Sequence, residues 1–281
     1  MELRPPGFSP ILPAVLFAIR IARILLWTLL LAPFVLLARL LTAGRGAFAL
    51  RVGSRAMHLW ARAACRALGV RIQVQGRPPR GPLVFASNHL GYLDILVLGA
   101  CYPSAFVSMV EVAGWPLVGT LARLVGTIFI ERSSSDDVPR VRQQMRERLA
   151  LGLPVTLFPE ARPSPGLEVA RFHAALFQAA IDQGVSCVPV TLGYECPDSP
   201  EPPAQVVCWW GEMGFGPHFR ALVDLGRIEA HVTFGAPVGP GADRIELANA
   251  VHAKVRERFV PVRQARREDG AHRFARGEGR T

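Results

Sequence analysis

At 281 residues the chain is long enough for one domain of roughly 200 residues with appendages, and no composition shift argues for two domains. Half of it is hydrophobic and the mean hydropathy is +0.26, high for a soluble enzyme and in keeping with contact with lipid. The net charge of +10 sits at one end: residues 1–80 carry twelve Arg against Glu2 alone, a net +11, so residues 81–281 sum to −1. A nucleic-acid-binding domain would spread Arg and Lys over its fold among groove-reading motifs, so no nucleic acid is expected and anionic lipid is the better partner. Cys65, Cys101, Cys187, Cys196 and Cys208 show no CxxC spacing and lie in apolar stretches, which argues against a disulfide framework and a zinc site. A reducing cytosolic setting fits. Lys254 is the only lysine, and the excess of Arg, Ala, Pro and Gly fits a GC-rich bacterial genome.

In chain order, the first element is an uncharged apolar run from Ile24 to Ala38, preceded by Arg20 and Arg23 and followed by Arg39. Fifteen helical residues reach about 22 Å, short of the roughly 30 Å hydrocarbon core unless Leu40, Leu41 and a snorkelling Arg39 extend it. The run starts late and no small-residue cleavage site follows, so an anchor is expected rather than a cleaved signal. Pro13 and Pro33 are expected to break the helix, which leaves a hairpin in one leaflet and a tilted crossing both open. Next comes a helix over Phe48–Leu68. At 100° per residue Arg51, Arg55, His58, Arg62 and Arg66 share about 80° of arc, opposite Trp60, Ala56, Ala63 and Ala67. That stripe is either a solvated face or a seat for lipid phosphates.

Beyond Gly69 short apolar runs alternate with helical segments. Strands are expected at Val70–Gln75, Pro82–Ser87, Ala105–Met109, Thr127–Ile130, Val155–Pro159, Ser186–Leu192, Val206–Trp210 and Ile228–Phe234. Helices are expected near Leu93–Ala100, Asp137–Leu151, Arg171–Gln183, Pro217–Leu225 and Asp243–Phe259. The alternation predicts an α/β fold, a mixed β-sheet flanked by helices, with an N-terminal membrane-associated helical segment. The divisions are residues 1–45 as anchor, 46–69 as basic amphipathic helix, 70–261 as catalytic domain and 262–281 as an Arg/Gly/Glu-rich tail expected to be disordered.

The most informative segment is Asn88-His89-Leu90-Gly91-Tyr92-Leu93-Asp94, directly after an apolar strand. A histidine at the carboxyl end of a strand, where an open sheet forms its crevice, is well placed for proton transfer. Asp94 can reach back from the next helix, fix the tautomer and stabilise imidazolium, leaving the other ring nitrogen to take a hydroxyl proton. No G-x-S-x-G elbow supports a serine hydrolase.

Asn-His-x4-Asp resembles the first motif of the glycerolipid acyltransferases, the lysophosphatidic acid acyltransferase group. Gly126-Thr127-Ile128-Phe129-Ile130-Glu131-Arg132 is similar to their second motif, Phe158-Pro159-Glu160 opens the third, and Val188-Pro189-Val190 is similar to the fourth, all in family order. Smaller echoes are Glu111–Gly119, Trp210-Gly211-Glu212-Met213 with Pro217-His218, and Phe234-Gly235-Ala236-Pro237. The resemblance covers about residues 70–240.

It implies a membrane-bound O-acyltransferase in which His89 is the general base and Asp94 its orienting partner. The donor is acyl-CoA or acyl carrier protein, the acceptor a lysolipid, and neither metal nor cofactor is needed. Arg132 would hold the acceptor's anionic head group, a role that guanidinium geometry suits. Asn88, Gly126, Phe129, Pro159, Glu160, Arg162 and Pro189 complete the expected substrate-binding set. Proline at 159 is expected to end its strand with the Glu160 carboxylate facing the crevice, and Pro189 to mark a sheet edge or a bulge. The implied setting is the cytoplasmic side of a bacterial inner membrane, with 1-acyl-sn-glycerol-3-phosphate as first acceptor and lyso-ornithine lipid as second. Two departures weaken simple transfer of phosphate recognition: Ala161-Arg162-Pro163-Ser164 replaces the family's Gly-Thr-Arg or Gly-Thr-Ser, and Met109 stands at a frequent lysine. Phe172-His173-Ala174-Ala175-Leu176-Phe177 looks more like the branch acting on other single-chain lipids. A non-catalytic lipid-binding protein and a thioesterase are the rival readings.

Overall fold

A computed structural model describes residues 11–42, 46–132, 134 and 136–262, with side chains from residue 14 onward. Its elements are α1 (Ile11–Leu41), α2 (Ala47–Ala67), β1 (Val70–Gln75), β2 (Val84–Ser87), α3 (Leu93–Cys101), β3 (Ala105–Met109), α4 (Val110–Ala113) and α5 (Val118–Val125). There follow β4 (Ile128–Ile130), α6 (Asp137–Ala150), β5 (Val155–Leu157), α7 (Gln178–Asp182), β6 (Cys187–Glu195), α8 (Pro203–Val206), α9 (Phe215–Asp224), β7 (Ile228–Phe234) and α10 (Arg244–Arg258). The strands form one mixed sheet in the order β1-β7-β6-β2-β5-β3-β4. Every neighbouring pair is parallel except β6 with β7.

Helices cover both faces. On one, α2, α3 and α9 enclose a core that includes Phe85, Leu93, Val97, Leu192, Tyr194, Leu222 and Val232. On the other, α6, α7 and α10 enclose Val84, Ala86, Met145, Leu157, Phe177 and Val251. All four residues of β2 and the first eight of β6 are buried, which is why these strands read as continuous apolar runs rather than alternating ones. Asp243 caps α10 by accepting from the backbone N–H of Ile245 (2.6 Å) and Glu246 (2.9 Å).

Besides the unexpected short helices α4 and α5 and a helix that begins later than Arg171, four features bear on the sequence expectations. First, α1 is one unbroken helix with Pro33 inside it, neither a hairpin nor two pieces. Proline's φ is already helical, so the penalty is confined to one turn, and packing against α2 over much of its length holds the helix together. Second, Val206–Trp210 forms no strand: Pro203 starts the short α8, and the indole N–H groups of Trp209 and Trp210 donate to the carbonyls of Met213 (2.7 Å) and Ala204 (3.0 Å). Periodicity cannot separate a short buried apolar coil from a strand.

Third, Pro189 lies in a central strand. It is not at an edge, and the extra residue lies opposite it: β6 pairs in step from Val190↔Phe234 to Glu195↔Glu229 whereas Cys187 bridges Val238, so the one-residue bulge falls between Phe234 and Val238 on the partner segment. Fourth, Val262 belongs to the core, 2% exposed, with its N–H donating to the Gly166 carbonyl at 2.8 Å. Residues 263–281, the rest of the expected tail, lie outside the described residues, as do residues 1–10 of the anchor.

The apolar stretch of α1 extends over Ala14–Leu41 with mean hydropathy 2.3. Two of the three arginines of α1 turn inward, while Arg23 stays exposed. Arg20, 7% exposed, donates to the carbonyls of Val223, Leu225 (2.7 Å) and Gly226 (3.3 Å) at the C-terminus of α9. Arg39 donates through Nε to the Leu124 carbonyl at 2.8 Å, at the C-terminus of α5. A cation at a helix C-terminus complements the helix dipole and satisfies orphan carbonyls.

Candidate active site

The crevice opens at the carboxyl end of β2, between β5 and β6. From Ser87 the chain enters the loop 88–92 and then α3, whose first turn carries Asp94. Gly91 is required there, since a Cβ would meet the Trp209 backbone nitrogen at 2.9 Å.

Asp94 is fully buried and accepts four hydrogen bonds. Oδ2 takes the His89 Nδ1 proton (2.7 Å) and the backbone N–H of Leu90 (2.6 Å) and Gly91 (3.0 Å); Oδ1 takes the Tyr194 hydroxyl (2.7 Å). With Nδ1–H committed to Asp94, the His89 Nε2 lone pair is left to accept a proton. The imidazole is 12% exposed and stacks on Phe158, ring centroids 4.2 Å apart and planes 17° apart. The ring is thus held on one face and at one nitrogen.

Glu160 differs from its expected orientation. It is buried, 7% exposed, and its carboxylate bridges two backbone groups, accepting from His89 N–H (2.8 Å) and Ala170 N–H (3.1 Å). Ser164 holds the other side of the same residue, donating its N–H to the His89 carbonyl at 2.9 Å. The 158–173 segment therefore grips the base by its backbone. Burial pushes Glu160 up from its ordinary 4.5 to about 7, against the two N–H bonds, which favour the charged form, with Asp94 adding to the rise.

A raised carboxyl pKa makes the neutral form the better tenant of the fold. The contribution is fully present below pH 4.5 and is lost as pH rises through about 7, a change on the order of 3 kcal/mol. Glu160→Gln is expected to flatten the fall in melting temperature across that window, measured by thermal unfolding at a series of pH values. An unchanged slope would assign the titration elsewhere.

Other expected site residues have partners within the fold. The Asn88 amide pairs with β6, Nδ2 donating to the Leu192 carbonyl (3.0 Å) and Oδ1 accepting from Leu192 N–H (2.7 Å). Gly126 ends α5 at φ +92, where Leu50 and Arg39 leave no space for a side chain. The Phe129 carbonyl accepts from Arg140 at 2.6 Å. Pro159 and Pro189 are buried, with their carbonyls bonded to His173 and Gly235 N–H, both at 2.9 Å.

Arg132 and Arg162 are solvent-exposed, and neither pairs with a carboxylate among the described residues. Arg132 reaches the Met109 sulfur at 2.8 Å, the position where the family often has lysine. Partial burial of its guanidinium lowers the Arg132 pKa; Glu111 opposes this and Arg162 adds to it, so both guanidinium groups and Glu111 feel one another. Ala161, where the family has glycine, adopts the left-handed φ of +66.

Sequence reasoning missed Phe158 as a ring support, Ser164, Tyr194, and the pair Tyr92–His218, whose hydroxyl and Nδ1 lie 2.8 Å apart. Phe158 and His218 lie in segments that the resemblance picks out, whereas the contacts of Ser164 and Tyr194 are distant in sequence and left no local signal.

The comparisons with known proteins bear on the family and the fold. The acyltransferase family model matches residues 71–193. A lyso-ornithine lipid O-acyltransferase from Pseudomonas aeruginosa is 34% identical over 198 residues, covering 70% of this chain and 75% of that protein. A 1-acyl-sn-glycerol-3-phosphate acyltransferase from Neisseria gonorrhoeae is 41% identical over 145 residues, 50% of this chain and 56% of its own. The crystal structure of the 1-acyl-sn-glycerophosphate acyltransferase from Thermotoga maritima shares the fold, with a TM-score of 0.63 over 89% of this chain and 96% of that one, at 16% identity. The matched span begins in β1, crosses the entire His89–Asp94 loop and ends within β6, and by it the chain belongs to the acyltransferase family.

Proposed function

We propose that this protein transfers a fatty acyl group from the thioester of acyl-CoA or acyl carrier protein to the free hydroxyl of a lysolipid. The observation that carries this reading is the His89–Asp94 pair, with Nδ1–H bonded at 2.7 Å and Nε2 unclaimed at a strand's carboxyl end. In the reaction the acceptor hydroxyl gives its proton to Nε2 while its oxygen attacks the thioester carbonyl. The C–O bond forms, the C–S bond breaks, and the departing thiolate recovers the proton from imidazolium. Asp94 supports the charge that the ring carries between those steps. Arg132 and Arg162 are the head-group ligands in this reading.

Two acceptors compete. Lysophosphatidate is the first reading of the sequence and fits the Neisseria relative. Met109 in place of lysine leaves one cation fewer for a phosphate, and this observation favours an amino-acid-headed acceptor such as lyso-ornithine lipid. An acyl-transfer assay of the detergent-solubilised protein against a panel of lysolipids, run with and without acceptor, tests both readings. Thioester cleavage that is indifferent to acceptor would replace acyl transfer with hydrolysis.

The setting proposed is the cytoplasmic face of a bacterial inner membrane. Support comes from the exposed apolar side of α1, including Leu29, Phe34, Leu37 and Leu40, with Phe48 and Leu59 continuing it on α2. Arg51, Arg55, Arg62 and Arg66 are exposed beside that surface, whereas His58 turns inward to the Gly99 carbonyl. Each arginine near anionic lipid adds about 1 kcal/mol. Glu at all four positions is expected to weaken binding to anionic vesicles, most at low salt, with little change on zwitterionic ones. Equal loss on both vesicle types would make the stripe a solvated face.

A further inference from the structure

We propose that Tyr194 is a positioning residue for acyl transfer, its buried phenol tying the Asp94 carboxylate to the sheet and so fixing how that carboxylate presents its other oxygen to His89. The inference rests on His89 being the base. Its ground is an asymmetry among the donors to Asp94. The three on Oδ2 belong to His89, Leu90 and Gly91, all within the loop being positioned. They hold the carboxylate relative to the loop, whose own ties to the rest of the fold run through the His89 backbone and the Asn88 amide and do not reach the carboxylate. The donor on Oδ1 comes from β6, a hundred residues away in sequence, and is 2.7 Å from it.

Two positions before Tyr194 on β6, Leu192 makes both backbone bonds to the Asn88 amide. One rigid central strand thus grips the loop at both ends, at Asn88 through Leu192 and at Asp94 through Tyr194. A hydroxyl in this place is not needed for packing, since Tyr194 sits among apolar core residues at 1% exposure, where phenylalanine would fill the same space. Burial, and after it the Asp94 charge, holds the phenol far above its ordinary range, so it is a donor at any working pH. Facing this unit are Cys65 from α2, Cys208 from the segment after α8 and Glu160 from the 158–173 segment. Burial keeps the two thiols neutral, which leaves Glu160 as the neighbour that titrates near 7.

Tyr194→Phe removes one oxygen. The expected result is a fall in kcat of about tenfold, with the KM values for donor and acceptor changed by no more than about twofold. The acid limb of the kcat/KM profile is expected to move to higher pH, because a carboxylate relieved of one donor pulls harder on imidazolium. The profile is compared in a Glu160→Gln background, so that Glu160 does not contribute to the limb. Site-specific 3-fluorotyrosine at 194, a stronger donor with the ring kept, should move the limb to lower pH, and it decides the case if Tyr194→Phe does not fold. A limb that stays at the parental pH in both variants overturns the proposal. His89→Ala in the same assay separates the two claims: activity retained there refutes the base, whereas an inactive His89→Ala with an unmoved limb refutes Tyr194 alone.

Discussion

Replacing His89 with alanine is expected to cut turnover by at least about a hundredfold while fold and vesicle binding stay intact, the scale on which a general base contributes. The side chain is partly exposed and its removal leaves the backbone bonds to Glu160 and Ser164 in place, so the loss is chemical rather than structural. Asp94→Asn should cost less. An asparagine can point its oxygen at His89, Leu90 and Gly91 and its amide N–H at Tyr194, whose hydroxyl then accepts; the tautomer survives and only the charge is lost. Steady-state rates with purified protein check both, and near-parental activity in His89→Ala would sink the mechanism.

The second large effect concerns the head group. Arg132→Ala and Arg162→Ala are each expected to lower kcat/KM by roughly ten- to a hundredfold through a higher KM, the scale of about 1.5–3 kcal/mol for a charged hydrogen bond. Each guanidinium is exposed and forms no ion pair among the described residues, Glu111 acting on Arg132 only from beyond ion-pair distance, which suits an anion ligand. Measured against lysophosphatidate and lyso-ornithine lipid, the pair also reports the acceptor. If Arg162 points to solvent in the complex, only Arg132→Ala matters; an Arg132→Ala enzyme unimpaired with either acceptor removes the assignment.

How much of this was legible in the sequence depended on the range of the interaction. β1, β3 and β7 begin and end at the expected residues, because each is a short apolar run closed by turn residues. The His89–Asp94 contact spans five residues and was readable for the same reason. Glu160 was placed in the right segment and turned the wrong way, since its partners, His89 and Ala170 N–H, are set by how the third motif folds back on the first. Tyr194 and Ser164 act across long stretches of chain that no local pattern records. Pro33 and Pro189 were read by their local penalty, which helix packing in one case and a one-residue bulge in the other absorb.

The inward turn of Arg20 and Arg39 bears on how the protein can be handled. Along α1 the two are separated by nineteen positions, about 28 Å of helix, and each terminates a different helix of the α/β unit. Cutting the chain after residue 45 to obtain a soluble enzyme would uncap α9 and α5 together and strip Trp60 of its bond to Thr28. The same cut would lay bare the alanine-rich side of α2. The remainder would be a damaged protein rather than a catalytic domain relieved of its anchor. A better route to solubility keeps α1 and replaces its outward residues, such as Leu26, Leu30, Phe34 and Leu37, with polar ones.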